Sequence, residues 1–275
     1  MQGNMWIVSS VVLLSLINFV TGHGRLIDPP SRSSAHKHGF PLIPVNTMDH
    51  QLNCGGFWNQ WGVNQGRCGV CGDPYQGPRE NEAGGKYATG TIVHTYTENA
   101  QIIVELDITV AHGGWSEFRI CPNNDVHKPV TQQCLDKFIL ASPSGDTRYI
   151  HQRKRGTLRI PLVLPPGLTC TQCVLQWKWN AASNFNCDPI THKCCKGCGL
   201  QEQFYGCADI SIIKPYRPPT IKPYNGQWAF NHITTVKSDS AKIASKPTTV
   251  KQNFIPPFNR QTQPYGFIPI FNRRG

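Results

Sequence analysis

Apolar and polar positions alternate most clearly over Gln101–Val110. Ile102, Val104, Leu106, Ile108 and Val110 share one face, and Glu105, Asp107 and Thr109 share the other. That period of two predicts a half-buried strand. Trp115–Cys121, Leu158–Leu164, Val174–Asn180 and Cys207–Ile213 are further predicted strands, rich in β-branched and aromatic residues. No segment sustains an apolar period of 3.6, and Asp73–Glu82 is expected to hold at most a helical turn or two. Short strands between long loops rich in Gly, Pro and Cys predict an all-β chain, an immunoglobulin/fibronectin-III-like β-sandwich with long disulfide-stapled loops. Ahead of it, Ile7–Val20 is an apolar run too short and too polar at its end for a good membrane span. It reads as the core of a secretory signal over residues 1–22, although its start carries no Lys or Arg, with Val20-Thr21-Gly22 as the cleavage boundary. Beyond Lys214 periodicity stops and Pro215, Pro218, Pro219 and Pro223 follow. The expected organisation is a signal over 1–22, one domain over 23–215 and a Pro-rich, basic, disordered tail over 216–275.

Cysteine usage sharpens this picture. All 12 cysteines of the 275-residue chain lie between Cys54 and Cys207. An even count behind a secretory signal predicts six disulfides in a secreted, extracellular protein, with connectivity left open. The pairs Cys68/Cys71, Cys170/Cys173 and Cys195/Cys198 also permit a zinc-stabilised module, a weaker reading for an exported chain. There is no N-glycosylation sequon. The net charge of +11 is uneven: residues 216–275 hold nine Lys/Arg and one Asp. Basic charge gathered in a secreted tail points to a polyanionic or matrix surface, or to solubility, and away from nucleic acid. A monomer is expected.

Three segments carry candidate chemistry. Cleavage after Gly22 would leave His23 with a free α-amine beside its Nδ1, two nitrogen donors that suit copper. His112 follows the alternating strand, ahead of Gly113-Gly114, which places an imidazole on a loop at a strand end. Gln203, Tyr205 and Cys207 share parity and would face one way in an extended segment. By position alone each has a plainer reading. His23 is then a polar terminal residue, His112 a satisfied surface histidine and Tyr205 a core tyrosine beside a disulfide. His94 is assigned to the surface class. His36, His38 and His50 could form an opportunistic metal patch. Trp58, Trp61, Trp177 and Trp179 are expected to pack in or just below the core.

Taken together, the motifs resemble the lytic polysaccharide monooxygenases, and most closely auxiliary activity family 15. The resemblance rests on His23-Gly24, Pro29-Pro30-Ser31-Arg32, Cys54-Gly55-Gly56, the run from Cys68 to Asp73, Glu117–Pro122, and Tyr205 with Cys207-Ala208-Asp209. It spans roughly residues 23–213. It implies one copper ion held by the α-amine and Nδ1 of His23 and by Nε2 of His112, with Tyr205 axial and Gln203, next to Glu202, behind it. Val110 stands where the family commonly has alanine, which implies narrower access to that axial face. The resemblance further implies O2 or H2O2 as co-substrate, an external reductant as electron donor, and an insoluble polysaccharide, chitin first and cellulose second. A non-catalytic chitin-binding or matrix protein is the rival class, needing neither a terminal His23 nor a tyrosine at the metal.

Overall fold

A computed structural model describes residues 23–216. The signal expected over residues 1–22 and the tail, apart from Tyr216, lie outside the described residues. Ten strands run in the order β1 (His23–Asp28), β2 (His94–Thr97), β3 (Gln101–Val110), β4 (Trp115–Pro122), β5 (Tyr149–Ile150), β6 (Gly156–Val163), β7 (Cys170–Asn180), β8 (Phe185–Cys187), β9 (Cys194–Lys196) and β10 (Gln203–Ile213). They form a three-stranded sheet β1-β3-β6, a five-stranded sheet β2-β10-β7-β4-β5 and the small β8-β9 hairpin. β2 lies parallel to β10, and the other pairings are antiparallel. This is the predicted β-sandwich of immunoglobulin type.

The alternation of β3 fixes its orientation. Ile102, Val104, Leu106 and Ile108 are buried, and they share one core with Phe118, Trp177, Trp179, Phe204 and Ile210 of the larger sheet. A one-residue slip would turn that apolar row to solvent, so the register is strongly specified. β10 runs beside β7 from Gln203 opposite Asn180 to Ile212 opposite Cys170. Its inner residues Phe204, Ala208 and Ile210 join the main core. Cys207, of opposite parity, packs with Cys71, Cys121, Val130, Leu135 and Val174 in a second cluster on the outer face. Long loops therefore cover the outside of the larger sheet, which gives both of its faces an apolar layer.

All 12 cysteines are bonded: Cys54–Cys68, Cys71–Cys207, Cys121–Cys134, Cys170–Cys173, Cys187–Cys194 and Cys195–Cys198. The zinc-module reading is thereby overturned, since the CxxC thiols are consumed in disulfides. Two further expectations are corrected. Asp73–Glu82 contains turns and no helix; Asp73 spends its carboxylate on the Asn81 backbone N–H and side-chain amide, which fixes a loop. Trp58 is 74% exposed, unlike the fully buried Trp177 and Trp179. Trp61 is half-buried, with its indole N–H donating to the Gln201 carbonyl at 2.8 Å. No described helix is long and apolar enough to cross a membrane.

Candidate copper site

His23 opens β1 and pairs with Val110, the last residue of β3. His112 lies two residues further on, so one antiparallel pairing carries both histidine segments. The turn after His112 depends on glycine. Gly113 and Gly114 have φ of 67° and 85°, and a Cβ at Gly114 would meet the Asn180 carbonyl oxygen at 2.0 Å. The loop is tied to the larger sheet, because the Trp179 indole donates to the Gly113 carbonyl at 2.8 Å and the Ala182 N–H to the His112 carbonyl at 3.3 Å.

Each imidazole is oriented through a hydrogen-bonding neighbour. Ser183 Oγ lies 3.0 Å from His112 Nδ1, which leaves Nε2 as the ring nitrogen suited to a metal. The amide of Gln51 contacts Nε2 of His23, which leaves Nδ1 in that role. The His50 ring meets His23 edge-on, with centroids 4.9 Å apart. Burial first, then the nearby His50 and His112, hold the His23 pKa below its ordinary value. His23 is therefore neutral around neutral pH, the form that binds a metal. Among the described residues no group of three or more His, Cys, Asp or Glu converges on a metal-sized space. A copper ion fits the two imidazoles, since nitrogen is a donor that suits it.

The predicted set divides in two. Tyr205 donates its hydroxyl to Gln203 Oε1 at 2.8 Å, and Gln60 donates to the same oxygen at 2.8 Å. The shared parity of Gln203, Tyr205 and Cys207 is as expected. Their side of β10 is the outer, loop-covered one, turned away from the sheet that carries His23 and His112. Burial pushes the Tyr205 hydroxyl pKa far up, so it remains a phenol. Phe204, of opposite parity, packs in the main core against Trp179, with ring centroids 5.0 Å apart.

Sequence reasoning missed several neighbours. Buried Glu202 accepts from Asn53 Nδ2 at 2.9 Å, two residues from Gln51, and its carbonyl accepts from Ala181 N–H at 3.0 Å. It is thus held by the segments that touch both histidines. Its position beside Gln203 was the only signal. His50, Gln51 and Ser183 carry no motif at all; loop folding alone brings them in. His50, expected in a patch with His36 and His38, lies against His23. His36 is instead engaged with the Ile43 carbonyl at 2.7 Å, and His94 is an exposed residue stacked on Tyr96.

Two half-buried imidazoles brought near each other by one strand pairing, on an immunoglobulin-like sandwich, suit a copper enzyme. The family described as lytic polysaccharide mono-oxygenase, cellulose-degrading, matches residues 23–210. The chain belongs to the lytic polysaccharide monooxygenases and is a copper-dependent polysaccharide monooxygenase. It is similar to lytic polysaccharide monooxygenase AA15 from Thermobia domestica, solved in the Cu(I) state. The identity is 42% and the TM-score 0.67, covering 70% of this chain and 100% of that one. LPMO10B from Micromonospora aurantiaca is 17% identical with a TM-score of 0.38, covering 69% and 99%. Fusolin from a Wiseana entomopoxvirus is 15% identical with a TM-score of 0.41, covering 78% and 93%. These last two are too distant to carry an argument. No curated protein matches in sequence.

Proposed function

We propose that the protein is secreted, begins at His23 when mature, and oxidatively cleaves crystalline chitin, with cellulose as second substrate. The observation that carries this reading is the pairing of His23 with Val110, two residues before His112, in a chain of this family. The α-amine and Nδ1 of His23 and Nε2 of His112 would hold the copper. Held there, and supplied with an external reductant and O2 or H2O2, a copper ion would supply the oxidative chemistry for attack on a carbon of the glycosidic linkage. The protein's own part is geometric. Ser183 and Gln51 set the two rings, and Trp179 holds the turn between His112 and the larger sheet. Tyr205 and Gln203 are given a supporting role from their outer-face position: their mutual hydrogen bond, shared with Gln60, stiffens the start of β10. Phe204, of the other parity, faces the inner core against Trp179.

Chitin is supported by the resemblance to auxiliary activity family 15, and cellulose by the description of the matching family. Phe185 and Ile190, in the β8–β9 hairpin beyond Ser183, are exposed by 72% and 85% and offer apolar surface to a solid. The test is mass spectrometry of soluble products from β-chitin and from cellulose, with copper, reductant and O2 or H2O2. Oxidised oligosaccharides from chitin are expected. Products from cellulose alone would reverse the substrate order, and no oxidised product from either would remove the reading.

A further inference from the structure

The outer face of the larger sheet contains a cavity of about 470 Å³ beneath the loops. That is the size of a small-molecule pocket, roughly 300–1,000 Å³. Lys178 stands at its floor in the middle of the sheet, with Tyr205 opposite it on β10 and Glu117 opposite it on β4. Its ammonium makes no hydrogen bond or ion pair among the described residues; the Tyr205 ring lies 5.9 Å away, and Glu117 and Asp136 act on it only through space. The nearby carboxylates are engaged elsewhere. Glu117 takes Arg119 at 2.5 Å, and Asp136 takes the same guanidinium at 3.0 Å. A half-buried cation in mid-sheet, with its natural partners spent, is costly unless an anion meets it. Burial holds the Lys178 pKa below its ordinary value, as such a cost requires.

The walls specify more than charge. Arg67 lies over the Tyr75 ring at 4.4 Å, a second cation at the rim. Trp61 adds another aromatic surface, while the amides of Gln132 and Gln203 are already bonded to Asp136, Gln176, Asn180, Gln60 and Tyr205. Flat aromatic surface suits the C–H faces of a sugar. Glu117 also meets Arg148 at 3.9 Å, so of the four cations here Lys178 and Arg67 are the two with no ion pair among the described residues. We propose that this cavity is a binding site for a small hydroxylated monocarboxylate, a sugar acid, whose carboxylate pairs with Lys178. The proposal rests on the cavity and its walls, and is independent of which polysaccharide the copper site attacks.

Gluconate, glucose and acetate would be titrated calorimetrically into the copper-loaded protein, with the copper resonance spectrum recorded in parallel. Gluconate should bind saturably, and more tightly than neutral glucose or acetate, with the copper spectrum unchanged. Lys178→Met should weaken gluconate by about 30-fold or more, as expected for removing one partner of a desolvated charge pair. Arg67→Gln should weaken it less, and circular dichroism should be native for both variants. A misfolded Lys178→Met leaves Arg67→Gln and the glucose comparison to decide. Equal affinity for gluconate and glucose, unchanged affinity in folded Lys178→Met, or a gluconate-dependent copper spectrum would overturn the proposal.

Discussion

At the scale of single residues, the two histidines differ from their neighbours in what a substitution should cost. His112 is half-exposed on a glycine loop, so His112→Ala opens no core cavity. Calorimetric copper titration should show tight binding abolished while circular dichroism stays native. Ser183→Ala removes only the partner of Nδ1 and should weaken copper by about 10-fold, the lower end for a residue that orients a ligand. Tyr205→Phe deletes a hydroxyl committed to Gln203 and should change copper affinity less than Ser183→Ala does. A different histidine governs the response to acid. His151 is buried, meets Ser116 Oγ at 2.7 Å and stacks on Trp179 at 5.2 Å. Burial lowers its pKa from 6.5 to about 4. Between those values the unfolded chain binds a proton that the folded chain refuses, so stability falls as pH falls. The loss approaches about 3 kcal/mol by pH 4. Urea unfolding from pH 7 to pH 4 should show this slope, and His151→Asn should flatten it.

At the scale of elements, the motif pieces prove to be joints between segments far apart in sequence. Arg32, in the segment after β1, forms a two-point ion pair with Asp209 of β10, both contacts at 2.7 Å, and donates to the Asn81 carbonyl at 2.8 Å. Gln172 of β7 donates to the same carboxylate. Arg32 and Asp209 are both buried, so breaking the pair strands a charge. Asp209→Asn should cost about 3–5 kcal/mol in urea unfolding. The Cys71–Cys207 bond closes 136 residues over the same region and fastens the covering loops to β10. This joint holds the outer layer in which Gln60, Gln203 and Tyr205 meet. The strands themselves were largely legible: β3 has its predicted bounds, and β4, β6, β7 and β10 contain or nearly match their predicted segments. β1 was not, because His23–Asp28 shows too few apolar positions to betray a strand; pairing with β3 makes it one.

At the scale of the whole molecule, the division at residue 215 remains a proposal with a direct test. A chain ending near Pro215 should keep copper binding and lose affinity for acidic or insoluble matrix, since +8 of the charge lies beyond. Unfolding of that shortened chain would place the boundary elsewhere. N-terminal sequencing of secreted protein should read His23 first, and any other start would remove the α-amine from the copper set.

What the sequence determined by itself was the β-rich character, the oxidised cysteines and the two histidine segments. Those follow from local facts: a period of two, an even cysteine count behind an expected secretory signal, and residue types in motifs. Tertiary structure decided which faces meet. Strand parity predicted that Gln203 and Tyr205 point the same way, but only the stacking of the two sheets settles that this way is outward. The same stacking turns Phe204 inward against Trp179. Loop closure decided that His50, Gln51 and Ser183 attend the histidines, because a loop's path depends on what its ends are fastened to. Lys178 illustrates the limit most plainly. In sequence it is one polar residue in an apolar strand, and its cost becomes visible only when the carboxylates around it are seen to be bound by Arg119.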